Sequence, residues 1–132
     1  MKQADINSFE KCQTQLEGLL SEITLLAKKS PNDGVNKFKL KFINEILFKA
    51  NNVLGKAYKP LESFDVFDED ELPSNSDVTF IISQYLNCFE KLRADNIVME
   101  QKYDGNKYVS EWYWVIGNEK STIKTAPPKK IK

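Results

Sequence analysis

The chain has 132 residues, enough for one ordinary domain and too few for two. Its 19 basic and 19 acidic residues cancel, and 41% apolar with 29% charged residues is a globular balance, not a disordered or collagen-like one. Histidine is absent, which excludes His-based triads, imidazole general bases and His metal sites.

Residues 6–29 carry Ile6, Phe9, Cys12, Leu16, Leu19, Leu20, Ile23, Leu26 and Ala27 at intervals of three and four, the stripe of an amphipathic helix. Asn7 with Glu10 predicts a capping box at its start, and Lys28 and Lys29 suit its negative end. Ser30-Pro31-Asn32-Asp33-Gly34 then predicts a turn. Residues 35–56 repeat the stripe with Val35, Phe38, Phe42, Ile46, Ala50, Val53 and Leu54, widened by Leu40, Ile43 and Leu47. Gly55 is the expected stop, and Pro60 forbids much further helix. Two long amphipathic helices joined by a short turn predict an antiparallel helical hairpin.

Residues 61–77 read LESFDVFDEDELPSNSD, with seven acidic residues and no basic one. This predicts a loop whose end, Pro73 and Ser74-Asn75-Ser76-Asp77, caps the next helix. That helix spans residues 77–95, with Val78, Ile81, Ile82, Tyr85, Leu86, Phe89 and Leu92 inward and Asn96 as an expected left-handed terminator. Two β-prone runs follow around Asp104-Gly105-Asn106, a hairpin over residues 97–116. Beyond Gly117 the segment NEKSTIKTAPPKKIK is polar and ends in lysines, so residues 118–132 are expected to be a flexible basic tail. The expected fold is α+β: three main helices packed on a C-terminal β-hairpin, one domain over residues 1–117. Its core is expected to include Leu16, Leu20, Ile23, Phe42, Ile46, Ile82, Tyr85, Leu86, Phe89, Trp112 and Trp114.

Signatures of catalysis are missing. No phosphate-cradling Gly-rich loop, G-x-S-x-G elbow or C-x-x-C is present. Cys12 and Cys88 cannot build a disulfide framework or a four-ligand zinc site, and read as reduced thiols on apolar helix faces. The acids at 68–71 lack the alternate spacing and central Gly of a calcium loop. No catalytic residue, metal or cofactor is therefore expected. The N-terminus has no apolar leader and no run is long enough to span a membrane, so a soluble, cytoplasmic protein is expected.

The acidic loop is the most unusual feature. Phe64, Val66, Phe67 and Leu72 interleave with Asp65, Asp68, Glu69, Asp70 and Glu71. Phe64, Phe67 and Leu72 are expected to pin the loop to the helices, leaving its acids to solvent. Residues 30–60 carry a balance of +4 (six Lys against Asp33 and Glu45) and residues 61–77 one of −7. Segregated charge of this kind steers partners. The first functional expectation is a protein-binding role in which Phe64, Asp65, Phe67, Asp68, Glu69, Asp70 and Glu71 meet a protein partner.

A second expectation comes from the order of the last elements. Phe89-Glu90-Lys91-Leu92, Asn96-Ile97-Val98, a hairpin with a Gly turn and Trp112-Tyr113-Trp114 together resemble the helix-plus-wing end of winged-helix domains. The resemblance covers residues 77–116 and implies nucleic-acid binding. The reading face would include Ser76, Thr79, Ser83, Gln84, Asn87 and Lys91, helped by Lys107 on the wing. The chain has 18 Lys and a single Arg, Arg93, so it can place only one guanidinium fork for bidentate recognition.

Overall fold

The computed structural model describes residues 1–129. It is an α+β fold: α1 (Gln3–Lys29), α2 (Lys37–Tyr58) and α3 (Asn75–Ala94), then β1 (Ile97–Asp104), β2 (Lys107–Ile116) and β3 (Glu119–Thr125). The strands form one antiparallel sheet in the order β1-β2-β3.

Each helix forms where its apolar stripe predicts, and the ends show which local chemistry decides. α1 starts earlier than Asn7: Lys2 precedes it, and its backbone N–H donates to the Asp5 carboxylate at 3.1 Å. Asn7 therefore lies inside the helix and caps nothing, because the periodicity continues upstream to a buried Ile6. Asn36 caps α2, its Oδ1 accepting from the N–H groups of Phe38 (2.8 Å) and Lys39 (3.2 Å). Gly55 breaks that helix at φ 65°, where a side chain would be strained, and a last turn runs on to Tyr58. Ser74 caps α3 by accepting from the Asp77 N–H at 3.1 Å. Asn96 is not left-handed; among the described residues glycines alone hold positive φ. Its side chain instead donates to the Leu92 carbonyl at 2.7 Å, which satisfies a helix-end acceptor without any αL residue.

The tail expectation is corrected most. Ile116 pairs with Glu119 across Gly117-Asn118, and Trp112 pairs with Thr125, so Glu119–Thr125 is a third strand. Gly117 (φ 66°) opens this turn just as Gly105 (φ 64°) opens the first hairpin, a positive φ only at the first central residue, as in a type II′ turn. Arg93 then holds the chain beyond β3. Its guanidinium is almost wholly buried and donates to Thr125 Oγ1 (3.2 Å) and to the carbonyls of Ala126 and Pro127 (3.1 Å for the latter). Glu90 neutralises it at 2.7 Å, and Gln13 donates to the other Glu90 oxygen at 2.8 Å. The tail lysines Lys130 and Lys132 lie outside the described residues.

The core fills the space between the helices and closes on the base of the sheet. Phe9 stacks on Phe89 (centroids 4.9 Å apart) and meets the edge of Trp114 at 5.1 Å. Trp114 is fully buried, and its indole N–H donates to Glu10 at 3.2 Å. Leu16, Ile23, Ile82, Tyr85 and Phe89 are buried as expected, while Leu20, Ile46, Leu86 and Trp112 are only half-buried. Phe42 is corrected outright: it is exposed and packs edge-on against Phe38, because Leu40, Ile43, Leu47 and Ala50 take the inward face of α2. Further out, the sheet leaves the helices, and residues 101–108 are all exposed.

Candidate functional site

The acidic loop lies along one flank of α2. Asn44 is buried in an otherwise apolar stretch of that helix. Its amide pairs both ways with the backbone of Phe67, donating from Nδ2 to the carbonyl (2.9 Å) and accepting at Oδ1 from the N–H (3.0 Å). Two turns further on, the Asn51 amide donates to the Asp65 carbonyl at 2.8 Å and accepts from the Tyr85 hydroxyl at 2.6 Å. Phe64 and Phe67, both half-buried, meet edge to face at 5.0 Å, and Phe64 reaches Tyr85 at 6.4 Å. The loop is thus fastened by two aromatic rings and two asparagines. Leu72 takes no such part; it is 48% exposed, contrary to expectation, because the loop's end is tied by backbone bonds instead. Val35 donates to the Pro73 carbonyl (2.8 Å) and Asn75 to the Asp33 carbonyl (2.9 Å).

The carboxylates face solvent. Asp65 pairs with Lys59, and Asp70 stands 3.9 Å from Lys37 with both side chains exposed. Asp68 closes a tight turn by accepting from the Asp70 N–H at 2.9 Å. Glu69 and Glu71 make no ion pair among the described residues. Between α2 and this loop runs an open groove of about 480 Å3. Phe48 (63% exposed) and Val66 (40% exposed) are its apolar walls. Lys41, Glu45 and Lys49 rim it on the helix and Glu69 on the loop. The residues expected to meet a partner are therefore divided: Phe64 and Phe67 face inward as anchors, while Asp65, Asp68, Glu69, Asp70 and Glu71 point out. Phe48, Lys41, Glu45 and Lys49 were missed. Only Asn44, a polar residue inside an apolar stripe, marked in sequence the flank against which the loop would lie.

Of the residues of the nucleic-acid expectation, Thr79, Ser83, Gln84, Asn87 and Lys91 lie on α3 and Lys107 starts β2. Thr79 donates to its own helix at Asn75 (2.8 Å), and Ser83, Gln84 and Asn87 are half-buried. Lys91 is tied to Asp95 at 3.0 Å, where Tyr58 also donates at 2.7 Å; these two partners hold the Asp95 carboxyl below its usual range, the tyrosine foremost. Lys107 stands at the hairpin tip, one eight-residue strand away from the end of α3, or about 25 Å. Arg93 is used up inside the fold. On one face of the sheet Lys102 and Lys124 reach Glu111 (3.3 and 3.4 Å) and Lys120 reaches Glu100, with Lys102 and Lys120 lying over the Tyr113 ring.

A second groove of about 480 Å3 lies between α1 and α2, beside Ser8, Cys12, Gln15 and Lys49. Burial pushes the Cys12 thiol up to about 11, with Lys49 opposing, so it stays protonated at neutral pH and is a poor nucleophile. Among the described residues no group of thiols and carboxylates is arranged to hold a metal ion, and no helix is long and apolar enough to cross a membrane. No family model, curated protein or solved structure matches the chain.

Proposed function

We propose that the chain is a small, non-catalytic cytosolic protein that binds a protein partner through the groove between α2 and the acidic loop. One observation carries the reading: Phe48 and Val66 face open solvent in a groove rimmed by Lys41, Glu45, Lys49 and Glu69, none of them in an ion pair among the described residues, while the neighbouring Phe64 and Phe67 hold the loop in place. An apolar side chain of the partner would fill the groove and lose contact with water, the main source of affinity at such sites. The flanking acids would speed encounter and select a partner with basic residues beside its apolar anchor. Two free thiols, at Cys12 and Cys88, suit a reducing compartment.

The test is capture of partners from the native source by the full chain and by two variants. Val66→Asp, which puts a charge inside the groove, should abolish capture. Changing Asp68, Glu69, Asp70 and Glu71 to Asn or Gln should weaken it and remove its salt dependence. A partner set unchanged by both variants would sink the reading.

A further inference from the structure

β1 is an edge strand, and its outer edge lies open. The Val115 N–H donates to the Asn96 carbonyl at 2.8 Å, and this bond fixes the phase of the ladder. Val98, Glu100, Lys102 and Asp104 turn their backbone groups toward β2, opposite Tyr113, Glu111, Val109 and Lys107. Met99, Gln101 and Tyr103 turn theirs outward, where no strand of the sheet receives them. An exposed row of this kind is a template for another strand.

The sequence of β1 says which strand fits. When two such edges meet about a two-fold axis they pair antiparallel, and outward-turned residues must face outward-turned residues. With Glu100 on the axis, two glutamates oppose one another. With Lys102 on the axis, two lysines do, and Glu100 meets Asp104. With Gln101 on the axis, Glu100 of each copy faces Lys102 of the other, Met99 faces Tyr103, and Gln101 faces itself. Like charges directly opposite are unfavourable and opposite charges favourable, and centring on Met99 or Tyr103 pairs fewer residues of the strand, so the Gln101 register is the favoured one. In it Met99, Gln101 and Tyr103 form the hydrogen-bonded pairs, as the phase of the edge requires. Glu100 and Lys102 are already ordered for it on a single sheet face, by Lys120 (2.5 Å) and Glu111 (3.3 Å). The other face brings Met99 and Tyr103, 44% and 66% exposed, against their counterparts.

We propose that β1 is the interface through which two copies of this chain form a two-fold dimer, in the register centred on Gln101. The sheet then runs continuously through both copies. Sedimentation equilibrium of the full chain from micromolar to millimolar concentration should show the weight-average mass double. Amide exchange on the same samples shows whether this edge is the interface: the N–H groups of Met99, Gln101 and Tyr103 should slow by about tenfold or more as the dimer forms, while those of Val98, Glu100 and Lys102 keep one rate. Gln101→Pro removes one outward donor and no bond to β2, so it should hold the single-chain mass with an unchanged circular dichroism spectrum. A single-chain mass throughout would overturn the proposal. So would a dimer in which those three amides exchange as in the monomer, or a folded Gln101→Pro chain that still dimerises.

Discussion

Asn44 and Arg93 each have more consequence than their residue type suggests. Asn44 spends its whole amide on the backbone of Phe67, a residue 23 positions away. Asn44→Ala leaves a donor and an acceptor of that backbone without their partner, so it should cost about 1–3 kcal/mol, read as a lower urea midpoint. A pH limb follows from two other buried groups. Burial pushes Tyr85 up to about 12 from 10.0 and Cys12 up to about 11 from 9.0. Both are held protonated in the folded chain and ionise more readily once it unfolds. The stability this confers is fully present below the unfolded values and is lost as pH rises through the folded ones. Urea midpoints should therefore fall across the range from about pH 9 to about pH 12, and Tyr85→Phe should flatten the upper part of that fall.

The helices were legible because burial writes a period of three and four into the sequence, and the first hairpin because its turn is marked by Asp104-Gly105. β3 was not, although Gly117-Asn118 repeats the Gly105-Asn106 dipeptide. Its residues are polar, and only Ser121, Ile123 and Thr125 are drawn half inward, so the alternation carries little hydrophobic contrast. What secures this strand's end lies elsewhere in the chain, in the Arg93 fork and its Glu90 counter-charge. Arg93→Met should leave Glu90 short of its cation and the Ala126 and Pro127 carbonyls short of a donor. Breaking a buried pair of this kind costs about 3–5 kcal/mol, and the melting temperature should drop accordingly. Amide exchange in β3 should speed up more than in α2, which would separate a released strand from a general loosening.

Across the whole molecule, the opposite charges of α2 and the acidic loop lie side by side but pair sparingly. Only Asp65 and Asp70 of the loop reach lysines of the preceding segment. Exposed pairs contribute at most about 1 kcal/mol each. Changing Asp68, Glu69, Asp70 and Glu71 to their amides should shift stability by no more than about 1 kcal/mol in thermal melts, whereas Phe67→Ala should cost about 2 kcal/mol of apolar burial. A large loss from the amide substitutions would mean that the loop is held by its ions. The loop half of the groove was readable from composition. The α2 half was not: Phe48 falls outside the expected stripe that holds Leu47 and Ala50, but an off-stripe phenylalanine does not by itself say that the loop will lie beside it.

The aromatic closure at the base of the sheet also has a history during synthesis. Glu10 and Trp114, joined by a hydrogen bond, are 104 residues apart in the chain. Phe9 lies in α1, yet one of its two ring neighbours belongs to β2. A growing chain can pair α1 and α2 early, but the Phe9 ring stays partly uncovered until β2 has emerged. So distant a contact closes a long loop, which slows the final step of folding relative to the local helical hairpin. During that interval the exposed aromatic patch is a surface on which a chaperone can act, and it disappears once Trp114 arrives.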